Sequence, residues 1–173
     1  MTQDTDRKTA ARLARLYCEL WSTGDVTIVD QIFPPDARHA AGTSQPWGEF
    51  ITAIRRNFPY LERPLEQTYI DDDSLVIRTR LLGTHTGGPG FFQFPPTGVR
   101  MDIPAVTAFR ISNNLLVEEL WSEYDLRSVE TQIAAAVVSN YLEKVWGAGN
   151  VEVLKTHVAS GHVLHLNDQS NAV

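Results

Sequence analysis

The chain has a single cysteine, Cys18, in 173 residues. A lone thiol excludes an internal disulfide and any multi-cysteine metal site. With no histidine near it in sequence, Cys18 reads as a small apolar helix residue rather than a nucleophile. Basic charge is also in short supply, since 15 Lys and Arg stand against 21 Asp and Glu, for a net charge of -6. A phosphate backbone is recognised by a basic face, so nucleic acid is not expected as a partner. No apolar run approaches the roughly 20 residues that a membrane helix needs, and the opening MTQDTDRKT has no apolar signal region. A cytoplasmic protein with no membrane partner is expected. The sequence also lacks a G-x-S-x-G elbow, a phosphate-binding G-x-x-x-x-G-K loop and a G-x-G-x-x-G fingerprint. Serine-hydrolase and nucleotide chemistry therefore find no support, and no cofactor is expected.

What is present is a chain of about one domain's length with a 43% hydrophobic fraction, enough for a packed core. Leu13, Leu16, Tyr17 and Leu20 recur at helical spacing and predict a first helix. Thr23-Gly24-Asp25 supplies a glycine stop and a carboxylate cap. Val26, Val29, Ile32 and Phe33 then form a short second helix that ends at Pro34-Pro35. A third runs from about Trp47 to Phe58, with Pro59 as its terminator. From Leu65 onward the pattern becomes β-branched and alternating: Leu65 to Asp71, Ser74 to Gly83, Arg100 to Ser112 and Leu115 to Asp125. Asp71-Asp72-Asp73 and Asn113-Asn114 at the joins predict hairpin turns, because Asn and Asp tolerate the backbone angles required. Thr84 to Val99, rich in glycine and proline yet carrying Phe91, Phe92 and Phe94, reads as a functional covering loop. Helices first and a twisted sheet after give an α+β fold, three N-terminal helices on one face of a curved sheet.

Glu19 to Val29 (ELWSTGDVTIV) aligns without a gap on Lys144 to Leu154 (KVWGAGNVEVL), with Trp, Gly and Val in register. This spacing predicts a first domain over residues 1–129 and an incomplete second copy over residues 130–173, adding C-terminal helices that pack on the first domain or swap onto a partner chain.

Four short elements carry a resemblance: GTHTG at Gly83 to Gly87, FPPTG at Phe94 to Gly98, TAFRI at Thr107 to Ile111, and VEELWSEYD at Val117 to Asp125. In this order and spacing the chain resembles the SnoaL-like polyketide cyclases of the nuclear transport factor 2-like superfamily, over about residues 10 to 130. The resemblance implies a cone: a curved mixed sheet around an apolar pocket, plugged by helices. It also implies a homodimer through the open sheet face. Ring-closing members of the family use an aspartate on the last strand and a histidine on the strand before it, and the matching positions here are Ser122 and Thr107. Neither hydroxyl takes a proton directly at neutral pH.

Other groups are therefore candidates. His39, in PDARH, falls where the family places a polar cavity residue, and an imidazole supplies proton chemistry near neutrality. His85 in GTHTG is either an oxyanion donor or the anchor of a Gly-flanked turn. Strand alternation puts Glu118 on the face of Ser122, and Glu119 and Glu123 on the other, unless an extra residue reverses the faces. The expected catalytic set is His39, Ser122, Glu118 and His85. The expected substrate-binding set is Tyr17, Trp21, Trp47, Phe58, Phe92, Thr107 and Trp121, whose rings suit a flat apolar or aromatic small molecule. His157, His162 and His165 make a poor metal site, because the last two have opposite strand parity. The leading reading is a cofactor-independent cyclase or isomerase of a polyketide-like intermediate in secondary metabolism. A noncatalytic ligand-binding or assembly module is the alternative, and epoxide opening by groups among Arg78, Arg80, Asp102 and Arg110 is a third.

Overall fold

Leu13, Tyr17 and Leu20 lie on one side of helix α1 (Thr2–Thr23), and all three are buried. The fold comes from a computed structural model that describes residues 2–39, 45–86 and 97–154. Helix α1 stops at Gly24, whose φ of 74° is reached without strain only by glycine. Asp25 then accepts from the Thr27 backbone N–H at 3.0 Å and caps the 3₁₀ turn Val26–Ile28, which runs into the short helix α2 (Val29–Ile32). Helix α3 (Trp47–Asn57) turns Trp47 and Ile51 into the core.

The four strands are β1 (Leu65–Asp71), β2 (Ser74–Thr84), β3 (Arg100–Ser112) and β4 (Leu115–Tyr124). They form one antiparallel sheet in the order β1-β2-β3-β4. The turns fall where expected: Asp72 has φ 46°, Asn113 has 51° and Asn114 has 63°, the left-handed angles that short polar side chains tolerate. Parallel pairing, expected of a mixed sheet, is confined among the described residues to one bridge between Arg38 and Glu118. The inner face carries Leu75, Ile77, Ile103, Phe109 and Leu116 against the helices, and the Tyr17 ring meets Phe109 edge-on at 4.9 Å.

Helix α4 (Leu126–Tyr141) closes the open end of this layer by burying Val129 and Ile133. A π turn, Leu142–Gly147, and a 3₁₀ turn, Val151–Val153, follow it. Val138, Leu142, Trp146 and Val151 on this stretch are exposed. The Phe91, Phe92 and Phe94 loop and His157, His162 and His165 lie outside the described residues.

Arg55 of α3 ties that helix to the end of α1 and to the connection that leads into β1. Its Nη1 donates to the carbonyls of Trp21 (2.6 Å), Ser22 (2.9 Å) and Leu61 (3.1 Å), and its Nη2 donates to Pro59 (2.8 Å). One planar fork thereby satisfies carbonyls left open at the end of α1 and in the connection to β1. Arg55→Lys should lower unfolding stability by about 2 kcal/mol, because an ammonium cannot serve all four acceptors in that geometry. Chemical denaturation checks this, and an unchanged midpoint would contradict the assignment.

Candidate functional site

The stretch Leu61-Glu62-Arg63-Pro64-Leu65 enters the sheet in extended form, with Glu62 paired to Leu82 through two backbone hydrogen bonds of 2.8 and 2.9 Å. Alternation turns Leu61 and Arg63 inward. Arg63 is 1% exposed and its guanidinium sits between α1 and the sheet. Its Nε donates to Thr79 Oγ1 (3.1 Å), Nη1 to the Tyr17 hydroxyl (3.0 Å) and Nη2 to Thr107 Oγ1 (3.0 Å). Thr107 in turn shares a hydrogen bond of 2.7 Å with Ser122 across the β3–β4 pair. The rings of Tyr17 and Trp21 lie 4.7 and 5.0 Å from the guanidinium carbon, close enough for cation–π attraction. Among the described residues no carboxylate forms an ion pair with Arg63.

Arg63 is one of the residues that line an apolar cavity walled by Trp21, Phe50 and Phe58 from the helical side, by Leu81, Met101 and Ile103 from the sheet, and by Val129 of α4. Tyr124 and Trp21 are the other side chains on its lining that carry a hydrogen-bonding group. The cavity holds about 70 Å³, or about 640 Å³ of empty space when its open mouth is counted. The inner part thus takes one end of a flat or extended molecule, with the remainder in the mouth. Burial raises the pKa of Tyr17 above its ordinary range; Arg63 opposes the shift and the charge of Glu119 adds to it. Tyr124 is raised by burial, then by Glu119. Both phenols therefore stay protonated at neutral pH and act as hydrogen-bond and proton donors. Burial likewise pushes the Cys18 thiol up to about 11, which keeps it un-ionised.

The expected residues are distributed unevenly around this cavity. Trp21 and Phe58 line it, and Tyr17, Thr107 and Ser122 build the floor around Arg63. Glu118 points the other way. The pairing shifts from Trp121 opposite Ala108 to Glu119 opposite Phe109, so Leu120 is an extra residue, and this bulge places Glu119 on the inner face. Glu118 instead binds Arg38 (2.8 Å) and Arg110 (3.5 Å) on the outer surface. Trp121, expected to touch substrate, is 48% exposed on that same outer face. Trp47 is buried but belongs to the core, stacked on Phe33 at 4.2 Å. Phe92 is outside the described residues.

Arg38 pairs with β4 and points out, so the next residue, His39, points in. Its ring stacks on Trp47 at 3.7 Å and its Nδ1 lies 4.0 Å from Glu119. His39 does not border the apolar cavity; it faces a separate surface cleft with Asp30 and Gln45. His85 is fully buried and anchors the turn after β2: its backbone N–H donates to Val99, its carbonyl accepts from Gly98, and its Nδ1 meets Thr97 Oγ1 at 3.0 Å. Arg80 and Asp102 form a surface pair at 2.6 Å, and Arg78 pairs with Glu66. No water-activating arrangement for epoxide opening therefore faces the cavity among the described residues. Among them, too, no three His, Cys, Asp or Glu side chains gather as a metal site.

Arg63, Tyr124 and Glu119 are among the residues around the site that the sequence reading did not assign to it. Arg63 carried a signal, since it shares parity with Leu61 and Leu65 and is a charge on an apolar face. Tyr124 shares parity with Ser122 and was also legible. Glu119 was not, because the bulge that turns it inward leaves no mark in residue types.

A family model described as SnoaL-like polyketide cyclase matches residues 11–133. No curated protein matches the sequence. Among solved structures, TsrD from Streptomyces laurentii is 24% identical, with a TM-score of 0.66 over 74% of this chain and 96% of that one. A candidate polyketide cyclase from Acidithiobacillus ferrooxidans is 21% identical, with a TM-score of 0.64 over 74% and 96%. IdmH from Streptomyces antibioticus, described as a candidate polyketide cyclase, is 20% identical, with a TM-score of 0.60 over 71% and 96%. At these identities the structures attest the shared fold.

His39 and His85 are both held below the ordinary imidazole pKa, in each case chiefly by burial. Below pH 6.5 or so, the unfolded chain takes up protons that the folded chain refuses. The stability tied to the neutral rings is therefore complete above that pH and is lost as the pH falls beneath it. Denaturation midpoints at pH 7.5 and 5.5 should differ in that direction. His85→Gln should shrink the difference while lowering stability at pH 7.5 by about 1 kcal/mol. An undiminished pH difference in the variant would show that His85 does not carry it.

Proposed function

Because the chain belongs to the SnoaL-like polyketide cyclase family, we propose that it is a cofactor-independent cyclase or isomerase acting on an apolar, polyketide-like molecule of secondary metabolism. The observation that supports this most is the floor of the apolar cavity: a buried guanidinium held by hydroxyls, with the protonated Tyr124 beside it. Such a floor stabilises oxygen on which negative charge develops, and the walls fold the rest of the substrate. In ring closure, an enolate carbon forms a bond to a ketone carbon and the carbonyl electron pair moves to oxygen. That oxygen takes the proton of Tyr124, which recovers one from water. His39 and Glu118 have no part in this route, since neither borders the cavity. His85 acts as a turn anchor.

A noncatalytic ligand-binding module is the second reading. It is favoured by one observation: the cavity lining among the described residues includes neither a carboxylate nor an imidazole. In both readings residues 1–129 are the cone domain and residues 130–173 an incomplete second copy. Matched geometry supports the second copy: Gly149 has φ 68° beside 74° at Gly24, and Asn150 caps the turn Val151–Val153 as Asp25 caps Val26–Ile28. A cytoplasmic homodimer through the outer sheet face belongs to the same proposal, with Tyr69 and Trp121 exposed there.

An aryl 1,3-diketone bearing an ortho acetyl group, whose methylene can close on the acetyl carbonyl, separates the two readings. The protein should speed formation of the ring-closed product, and Tyr124→Phe should lower kcat by about 100-fold with little change in KM. Binding without conversion by the unaltered protein would establish the binding module instead.

A further inference from the structure

We propose that Arg63 makes the cavity selective for apolar molecules that arrive already carrying a negatively charged oxygen, so that the substrate is bound as a preformed enolate and needs no base from the protein. The inference rests on the ring-closing reading of the same cavity and names its substrate class.

The charge balance around Arg63 carries the argument. A guanidinium has five N–H donors, and three of them go to the hydroxyls of Thr79, Tyr17 and Thr107. Hydroxyls satisfy hydrogen bonds but do not neutralise a cation. The remaining N–H on each of Nη1 and Nη2 has no partner among the described residues, and Arg63 is one of the residues that line the cavity. The other ionisable groups near it are Tyr17, Tyr124 and Cys18, which burial keeps protonated. Glu119, 8% exposed on β4, makes its charge felt at both tyrosines but forms no ion pair with Arg63. Glu118 is engaged by Arg38 and Arg110 outside.

A buried cation held by hydroxyls, with no direct ion pair among the described residues, is relieved by an anion and not by a neutral ligand. A guanidinium with open N–H groups also suits a planar enolate or carboxylate. The enolate explains a second fact. The positions that the family resemblance matches to an acid/base pair hold Thr107 and Ser122, and here those hydroxyls support the guanidinium. A 1,3-diketone exchanges its methylene proton with water, and the site draws from that equilibrium the enolate, whose negative charge is shared by two oxygens. The chain then needs a cation to hold that charge and a phenol to protonate the new alkoxide, and both are present.

The test uses the full chain and two probe pairs in calorimetry: benzoylacetone against its 2,2-dimethyl analogue, and 1-naphthoate against 1-naphthamide. The first member of each pair can be an anion and the second stays neutral at the central position. Preference for the anionic member should be about 10- to 100-fold in Kd. Bound benzoylacetone should also show enolate absorbance at a pH where the free compound is neutral. Arg63→Met should abolish the preference and the absorbance, and Arg63→Lys should restore part of both. Should Arg63→Met fail to fold, the probe pairs and the absorbance on the unaltered protein still decide the matter. Preference within the benzoylacetone pair alone identifies the enolate as the ligand; within the naphthoate pair alone, a carboxylate, which supports charge selection but overturns the preformed enolate. Equal binding within both pairs, without enolate absorbance, overturns the inference and leaves the apolar cavity reading standing. Failure of all four compounds to bind overturns both.

Discussion

A positive charge placed in the centre of a small core constrains everything around it. Arg63 is 1% exposed, and its burial is tolerable only because four side chains on three elements meet its donors or its face: Tyr17 and Trp21 of α1, Thr79 of β2 and Thr107 of β3. The backbone of Arg63 is fixed as well, its N–H donating to Ser22 Oγ at 2.8 Å. The helix layer and the sheet are thus joined through one side chain. Loss of any single hydroxyl leaves a charged donor unpaired, which is far more disruptive than loss of an apolar contact of the same size.

The fold was legible because its local signals agree with one another. Leu13, Tyr17 and Leu20 make a helical stripe, Gly24 and Asp25 punctuate it, and the Asp72 and Asn113-Asn114 turns fix two hairpins whose register sets which residues face the core. The site was legible only where strand alternation held. Thr107 and Ser122, matched by resemblance to an acid/base pair on adjacent strands, stand opposite each other with a regular register beyond the bulge. At Leu120 the register slips by one residue, and the two adjacent glutamates exchange the faces expected of them. A bulge arises from how two strands fit one curved surface, so no residue type announces it.

The same comparison explains why histidine chemistry misled. An imidazole in a sequence invites a catalytic role, yet His85 commits its Nδ1 to Thr97 and His39 is stacked on Trp47 with its charge suppressed by burial. Arginine was overlooked for the opposite reason, as a residue normally solvated. Its parity with Leu61 and Leu65 outweighed its chemistry. The family fold supplies a cone with an apolar interior, and this chain fills the floor of that cone with a fixed cation where proton-transfer groups are expected by resemblance.

The central claim is that the Arg63 guanidinium receives the charged oxygen of a ligand inside the cavity. Nitrogen-15 NMR of the arginine side chains during titration with benzoylacetone tests it most directly. The account predicts that the Arg63 Nε–H and Nη signals move on saturation while those of Arg55, committed to four backbone carbonyls, stay in place. Saturable binding with the Arg63 signals unmoved would contradict it.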